Sequence, residues 1–183
     1  MSTNLKPYET ITDIITGKQV PNVGAEENRQ AVERYLIEEK GYSKNDIAVD
    51  VDIKMIVAGE PYRSQVDLVI SVDGGKTRIM AIKCAAASLG SREREIVAAA
   101  RLLYEYQIPF AVVSDGKTAT VLDTVTGKKA GEGLDGIPSK NDVLKMKDSL
   151  KWIPLPKNRL EREKLIFRSY DSMNVNVQRN IPS

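Results

Sequence analysis

An aspartate and a lysine on neighbouring predicted strands are the residues of this chain best suited to do chemistry. Asp67 lies in the strand-like segment 65–72, and Lys83 lies in the apolar run 79–87 that follows. A lysine in such a run is costly to bury unless it has a partner or a task. Side chains two apart on a strand share a face, and a tight turn at 73–76 can bring the two strands together. The pair therefore predicts either a metal-dependent phosphodiesterase site or a plain structural ion pair.

The composition limits the kinds of chemistry that are open to the chain. It contains one cysteine, Cys84, and no histidine. Zinc sites built from Cys and His are therefore excluded, as are nucleophile systems that need a histidine base. The groups that remain are carboxylates, lysine and a hard cation such as Mg²⁺ held by oxygen ligands. A net charge of +2 produces no global field that would attract nucleic acid, so any basic surface must be local.

The same composition predicts where the protein is found. A lone cysteine allows no disulfide within one chain, which favours a reducing compartment. No apolar stretch approaches the roughly 20 residues of a membrane span. Residues 1–12 lack the apolar core of a signal peptide. We therefore expect a cytoplasmic protein with no membrane segment.

Hydrophobic periodicity predicts a helix, three strands, a helix and two strands, in that order. This order favours an α/β (α+β) fold with a central mixed sheet of about five strands flanked by helices. The predicted helices cover 25–40 and 91–106, with Ser91 as a cap of the second. The predicted strands cover 47–57, 65–72, 77–85, 110–114 and 118–123.

We divide the chain into three parts on this pattern. Turn residues punctuate the first part, which we expect to be loop. The last part contains two further predicted helices, at 139–150 and 158–172, and a loose tail from 174. The three parts are an N-terminal extension (1–24), a core (25–130) and a C-terminal helical extension with its tail (131–183).

Four motifs follow one another along residues 25–123. The first is a Glu-x-x-Arg-Gln helix start that leads to a Gly-Tyr pair, and the second is an arginine ahead of a strand that begins with aspartate. The third is the lysine-bearing strand, and the fourth is a strand-turn-strand segment. In this sequence they are Glu26-Glu27-Asn28-Arg29-Gln30 with Gly41-Tyr42, Arg63 with Asp67-Leu68-Val69-Ile70, the segment 79–85, and the segment 109–116.

In this order the motifs resemble the PD-(D/E)xK nuclease superfamily. The particular likeness is to the N-terminal nuclease domain of type I restriction enzyme R subunits and its stand-alone relatives. The resemblance implies a restriction-endonuclease-like core at 25–130. It also implies that the chain hydrolyses DNA with Mg²⁺ or Mn²⁺.

The resemblance assigns roles to individual residues. Asp67 would be the main metal ligand and Lys83 the catalytic lysine. Glu26 would assist the metal through water, and it is selected over Glu27 because Arg29 follows three residues later. A favourable charge at a helix start is the other explanation of Glu26. Arg63 is predicted to contact nucleic acid.

The departure from the family pattern is Ala81, which stands where the family has glutamate. Without that carboxylate, Asp67 and the backbone carbonyl of Ile82 would hold Mg²⁺ poorly. Three explanations remain open. The acid was removed on purpose to make an inactive variant, the site is naturally inactive, or another carboxylate reaches the same place.

Two acids on the following predicted helix could replace the missing one. On a helical wheel Glu93 falls near the centre of the apolar face, and Glu95 falls about 200° away, toward solvent. We therefore predict Glu93 as the replacement ligand ahead of Glu95, with stabilisation of the helix dipole as the alternative. Arg92 and Arg94 flank Glu93 and are predicted phosphate contacts.

These observations leave two main functional hypotheses and a simpler third one. The first is a divalent-metal-dependent nuclease-like protein, and the second is an inactive nuclease-fold module that binds nucleic acid or a partner subunit. The third is a small domain whose ion pair is structural. The predicted partners are DNA of unknown strandedness, a second copy of the chain, or subunits of a restriction system.

Overall fold

A six-strand mixed sheet forms the centre of the protein, and its strands lie side by side in chain order. The computed structural model describes residues 9–172. The strands of this sheet are β3 (Ile47–Val57), β4 (Glu60–Val72), β5 (Thr77–Cys84), β6 (Phe110–Ser114), β7 (Ala119–Asp123) and β8 (Lys129–Glu132). All neighbours in it are antiparallel except β5 and β6, which are parallel and joined through a helix. The predicted mixed fold is confirmed, with six strands in this sheet where about five were expected.

Helices cover both faces of this sheet. Val32 and Leu36 of the first helix pack with Ile82 on one face, while Ile96 of the second packs with Ala81 on the other. Strand β5 is therefore covered on both faces, which explains its nearly continuous apolar sequence. The helices are α1 (Glu26–Glu38), α2 (Glu93–Leu102), α3 (Lys140–Met146) and α4 (Lys157–Tyr170).

The C-terminal extension packs on both sides of the sheet. Helix α3 begins at Ser139, whose hydroxyl accepts a hydrogen bond from the backbone N–H of Asp142 at 3.1 Å. Helix α4 lies on the α2 face, where Phe167 is buried and meets the ring of Tyr62 edge-on. Both predicted C-terminal helices are present, while the predicted tail from 174 lies outside the described residues. The predicted cap of α2 is wrong, because the Ser91 hydroxyl instead donates to the carbonyl of Ser88.

The sequence predicted that the first part of the chain is loop, but the start of the described chain contains two short strands. Strands β1 (Thr10–Thr12) and β2 (Gln19–Pro21) form a small antiparallel sheet. The carboxylate of Asp13 closes the turn between them by accepting hydrogen bonds from the backbone N–H groups of Ile15 and Thr16. Strands of three residues are too short to show an alternating pattern, so periodicity could not find them.

Strand pairing is interrupted where Asp67 lies. The register between β3 and β4 passes from the Val49–Leu68 pair directly to the Val51–Val66 pair. The step omits one residue on each strand, Asp50 and Asp67, and Asp50 has a left-handed φ of 51°. Such a local irregularity reorients side chains, as bulges do near functional sites. It occurs at the aspartate that the sequence had singled out.

Candidate active site

The ammonium group of Lys83 lies between two carboxylates. Its Nζ atom is 3.5 Å from Oδ2 of Asp67 and 3.6 Å from Oε1 of Glu95. Strand β4 supplies Asp67, β5 supplies Lys83, and the first turn of α2 supplies Glu95. The backbone N–H of Cys84 donates to the same Asp67 oxygen at 2.8 Å, which fixes the carboxylate beside the end of β5.

The surroundings of Lys83 favour its charged form. Burial by itself lowers the pKa of an ammonium group, but the charges of Asp67 and Glu95 outweigh it, so the pKa of Lys83 lies above its usual value. A protonated lysine donates hydrogen bonds and accepts none. Lys83 can therefore stabilise an anion or orient a water molecule, but it cannot take a proton. Burial raises the pKa of the neighbouring Cys84 thiol, which makes that thiol a poor nucleophile.

The orientation predicted for the two acids of α2 is wrong. Glu95 is only 4% exposed and faces Lys83, whereas Glu93 is partly exposed and lines a groove between α2 and α4. The helical wheel assumed that α2 has one buried face and one solvated face. Because α4 packs along α2 on the same face of the sheet, residues 95–100 are all buried. Glu93 thereby loses the geometric basis of its assignment as a metal ligand.

Hydrogen bonds fix Glu95 in place. Its Oε2 atom accepts from Arg92 at 3.1 Å, and its Oε1 atom accepts from both the backbone N–H and the hydroxyl of Ser172, at 3.1 and 2.9 Å. Ser172, two residues beyond the end of α4, thus reaches the centre of the site. No motif in the sequence pointed to Ser172, because the contact joins two parts of the chain 77 residues apart.

Glu26 lies in the same cleft as Asp67 and Lys83. This cleft has a volume of about 390 Å³ and opens beside the end of β5. The Oε1 atom of Glu26 accepts from the guanidinium of Arg29, at 2.6 Å from the nearest nitrogen, while its second oxygen has no partner among residues 9–172. The two explanations of Glu26 are compatible, since it begins α1 and also faces the cleft.

Arg29 is the centre of a second charge cluster beside this cleft. Its guanidinium contacts Glu26 and lies 2.8 Å from Asp50, 3.4 Å from Asp13 and 3.9 Å from Glu33. Burial alone would lower the pKa of Arg29, but the hydrogen bond to Glu26 and the charge of Asp50 raise it above its usual value. The side chain that sequence analysis used only as a spacing marker therefore organises one wall of the cleft.

Glu33 is the one member of that cluster that the guanidinium does not satisfy. It is fully buried, and neither carboxylate oxygen has a hydrogen-bond donor among the described residues. Burial, with the nearby charge of Asp13, raises the pKa of Glu33 to about 8. Helical periodicity did not indicate this residue, because a glutamate next to a buried valine looks like a solvated position.

Two close approaches fix helix α1, one to the residue after β5 and one to the turn between β6 and β7. The side-chain amide of Asn28 donates to the carbonyl of Ala85 at 2.8 Å. Gly116, in the turn between β6 and β7, has a φ of 85°, and a Cβ atom there would lie 2.8 Å from the Cβ of Ala31. Only glycine allows this turn to approach α1 so closely. These contacts fix the position of α1, the helix that brings Glu26 to the cleft.

The remaining predicted residues lie at three different places. Ala81 and Ile82 are both fully buried in β5, with Ala81 on the α2 face that Lys83 shares. Arg63 is 64% exposed and pairs with Asp52 on the neighbouring strand. Arg92 contacts Glu95, and Arg94 is exposed over the ring of Tyr170.

Comparison with known families gives one match. Residues 24–138 match the family described as type I restriction enzyme R protein N terminus, which is more than half of the chain. The chain belongs to this family. No curated protein and no solved structure gives a significant match. Membership supports a nuclease-like module of a restriction-modification system. Asp67, Lys83 and Glu95 all lie inside the matched range.

The described residues of this family member suit a divalent metal only if that metal takes few ligands from the protein. They contain no group of three or more His, Cys, Asp or Glu side chains placed to hold an ion. Mg²⁺, however, is usually bound by one or two carboxylates and keeps several waters or substrate oxygens. Asp67 offers its Oδ1 atom, which has no partner within residues 9–172, and Glu95 is the second carboxylate that contacts Lys83. The donor set therefore suits Mg²⁺ or Mn²⁺ with an incomplete protein shell.

No helix between residues 9 and 172 is both long enough and apolar enough to cross a lipid bilayer.

Proposed function

We propose that this chain is a divalent-metal-dependent nuclease domain that hydrolyses DNA phosphodiester bonds. The carrying observation is the position of Lys83, whose ammonium group is shared by Asp67 and Glu95 at an open cleft. Glu95 takes the place of the acid that Ala81 lacks. Membership of the R protein N-terminal family supports the reaction class.

Each residue of the site has a distinct task in this proposal. Asp67 and Glu95 would hold Mg²⁺ or Mn²⁺, which supplies Lewis acidity at the phosphoryl oxygens and lowers the pKa of water. Lys83 stays protonated and donates a hydrogen bond to a non-bridging phosphate oxygen or to the attacking water. Glu26 directs its unpartnered oxygen into the cleft, where it orients a water molecule. The carbonyl of Ile82 keeps its predicted role as an additional ligand.

The proposal extends to partners and location. DNA is the substrate, and Arg63, Arg92 and Arg94 are proposed to contact it. Subunits of a restriction system and a second copy of the chain are the further partners that we propose. We place this activity in the cytoplasm, in line with the single cysteine.

A catalytically inactive module is the second candidate, and one observation favours it. Both oxygens of Glu95 already accept hydrogen bonds from Arg92 and Ser172, so metal binding must compete with those donors. In that case the chain binds nucleic acid or a partner subunit and leaves cleavage to another protein.

Nicking of supercoiled plasmid with Mg²⁺ or Mn²⁺ tests the first proposal. We expect Lys83→Ala to lower the rate by about 100-fold or more, since acid–base and electrostatic groups contribute factors of this size. Lys117→Ala, at an exposed turn residue, is the matched control and should cleave like wild type. Equal residual nicking by wild type and Lys83→Ala would end the hydrolase proposal.

Two further results would identify the inactive module. Ala81→Glu should then create cleavage that wild type lacks, because it restores the family's second acid. Wild type should also bind duplex DNA in a salt-dependent manner without any turnover.

A further inference from the structure

A groove lined with arginines runs between α2 and α4, and Leu122 of β7 and Gly127 also border it. Its volume is about 390 Å³. We call it the arginine groove and define it by Arg94, Val97, Arg101, Arg159, Arg162 and Ile166. Helix α4 supplies half of these residues and lies beyond residue 138, outside the part of the chain that matches the nuclease family. The groove is thus a feature that the appended helix adds to the nuclease core.

The base of the groove is electrically neutral. Arg101 donates to the carbonyl of Thr124 at 2.8 Å and forms a close ion pair with Glu163, which is 3% exposed. The buried carboxylate and the guanidinium beside it cancel each other. Neither of them is left to attract a ligand.

The rims of the groove are positively charged. Arg159 is 46% exposed, and its nearest acid is the already paired Glu163 at 3.9 Å. Arg162 is exposed and makes no hydrogen bond or ion pair within residues 9–172. Arg94, on the opposite rim, is exposed and rests on the ring of Tyr170. Glu93 is the single acid on these rims, so the three arginines leave an excess of positive charge there.

The spacing of these arginines suits an extended polyanion better than a single small anion. Arg159 and Arg162 are three residues apart, so they project from one side of α4. Arg94 lies on the other helix that lines the groove, so the three positive side chains are spread over both rims rather than gathered at one point. Guanidinium groups also bind phosphate oxygens through paired N–H donors.

The groove adjoins the candidate active site through α2. Arg94 is the residue before Glu95, which contacts Lys83, and Arg92 lines a second cleft that Lys83 also borders. A nucleic-acid backbone that leaves Lys83 can therefore pass Arg92 and Arg94 and continue along α4.

We infer that the arginine groove binds the phosphate backbone of duplex DNA, with Arg159 and Arg162 of the appended helix as its principal contacts. The inference rests on the proposed function, because it names the surface by which the substrate is held. The alternative occupant, an acidic segment of a partner protein, is an outcome of the test.

Fluorescence anisotropy with a labelled 30-base-pair duplex tests this inference. The full chain is titrated in EDTA, where cleavage does not occur, at several salt concentrations. For Arg159→Ala/Arg162→Ala we expect affinity at about 0.1 M salt to fall at least tenfold. The slope of log K against log salt should become shallower by about 0.9 for each lost phosphate contact.

The matched control is Arg34→Ala/Lys44→Ala, which removes the same charge from exposed positions on and just after α1, the helix on the other sheet face. It should bind like wild type. Arg162→Ala alone guards against misfolding, since that exposed side chain supports no contact within residues 9–172. It should give about half of the change in slope.

The outcomes separate this inference from the hydrolase proposal. Unchanged affinity and slope in the double variant overturn the inference, even if the protein cleaves DNA. A change of the same size in the Arg34→Ala/Lys44→Ala control also overturns it, because the effect would then be general electrostatics. If wild type ignores DNA, the groove is not a DNA surface, and the partner-protein alternative replaces it. If the salt slope of the double variant becomes shallower as expected, but Lys83→Ala and wild type nick DNA equally, the inference stands and the hydrolase proposal fails.

Discussion

Two charge clusters flank the cleft of Lys83, and they are built in opposite ways. In one, the cation Arg29 is surrounded by four carboxylates, those of Asp13, Glu26, Glu33 and Asp50. In the other, the carboxylate of Glu95 is surrounded by donors from Lys83, Arg92 and Ser172. The Arg29 cluster has more acids than its single guanidinium can neutralise. In the other cluster, both carboxylate oxygens of Glu95 have partners.

This difference determines how each cluster responds to a disturbance. The excess of negative charge around Arg29 is tolerated because Glu33 can hold a proton, as its raised pKa shows. Glu95, in contrast, is held by fixed donors and is pre-oriented toward Lys83. We therefore expect the Arg29 cluster to govern stability and its pH dependence, and the Glu95 cluster to govern chemistry.

Arg29→Met should produce the largest effect on the fold. It removes the cation and leaves the buried carboxylate of Asp13 without an opposite charge, a change that typically costs about 3–5 kcal/mol. Urea unfolding at pH 8 would measure the loss. Arg29→Met/Asp13→Asn should recover part of it, since that buried charge is gone. A loss below about 1 kcal/mol would show that the carboxylates do not depend on Arg29.

Glu95→Gln and Glu93→Gln should differ sharply in DNA cleavage. The first removes a charge that faces Lys83, and we expect a rate reduction of about 100-fold in the plasmid assay. The second alters a groove residue and should change the rate by less than about threefold. Equal effects of the two substitutions would remove the distinction between the two sides of α2. Ammonium titration by NMR offers an independent check, because Glu95→Gln should lower the pKa of Lys83.

Glu33→Gln should have the smallest effect and change mainly the pH profile of stability. Burial raises the pKa of Glu33 to about 8 in the folded state, from its usual 4.5 in the unfolded state. The folded state therefore binds the proton more tightly, so the contribution of Glu33 to stability is fully present below pH 4.5 and is lost as pH rises to about 8.

Thermal unfolding of both proteins from pH 5 to 9 would check this. We expect the stability of Glu33→Gln relative to wild type to increase across that range. A constant difference at all pH values would contradict the raised pKa. Glu38→Gln, at an exposed position on the same helix, is the control.

The sequence predicted the sheet well because its central strands carry strong patterns. The alternation of 47–57 and the apolar run around Ile82 gave β3 and β5 closely, and the turns between strands were marked by glycine and aspartate. Strand β8 and the pair β1–β2 were missed, since each has three or four residues and lacks a buried, alternating face. The three-part division of the chain stays a prediction.

Periodicity could predict the candidate site only where its members lie on adjacent strands, while Glu26 of α1 was indicated by the family's Glu-x-x-Arg spacing. Asp67 and Lys83 were found because strand periodicity fixes which side chains can meet. Glu95 was assigned to solvent because its burial depends on α4, more than 60 residues later, and no local pattern carries that information. Ser172 and Arg162 were missed for the same reason.

The close approach at Gly116 has a consequence for how this protein can vary. The placement of the helix that begins at Glu26 depends on a position with no functional group at all, on a turn remote from that acid in the chain. Adding one methyl group there would push α1 outward and carry Glu26 with it. A substitution at Gly116 could thus alter the site while every charged residue stayed the same. A comparison of the charged positions alone would miss that change.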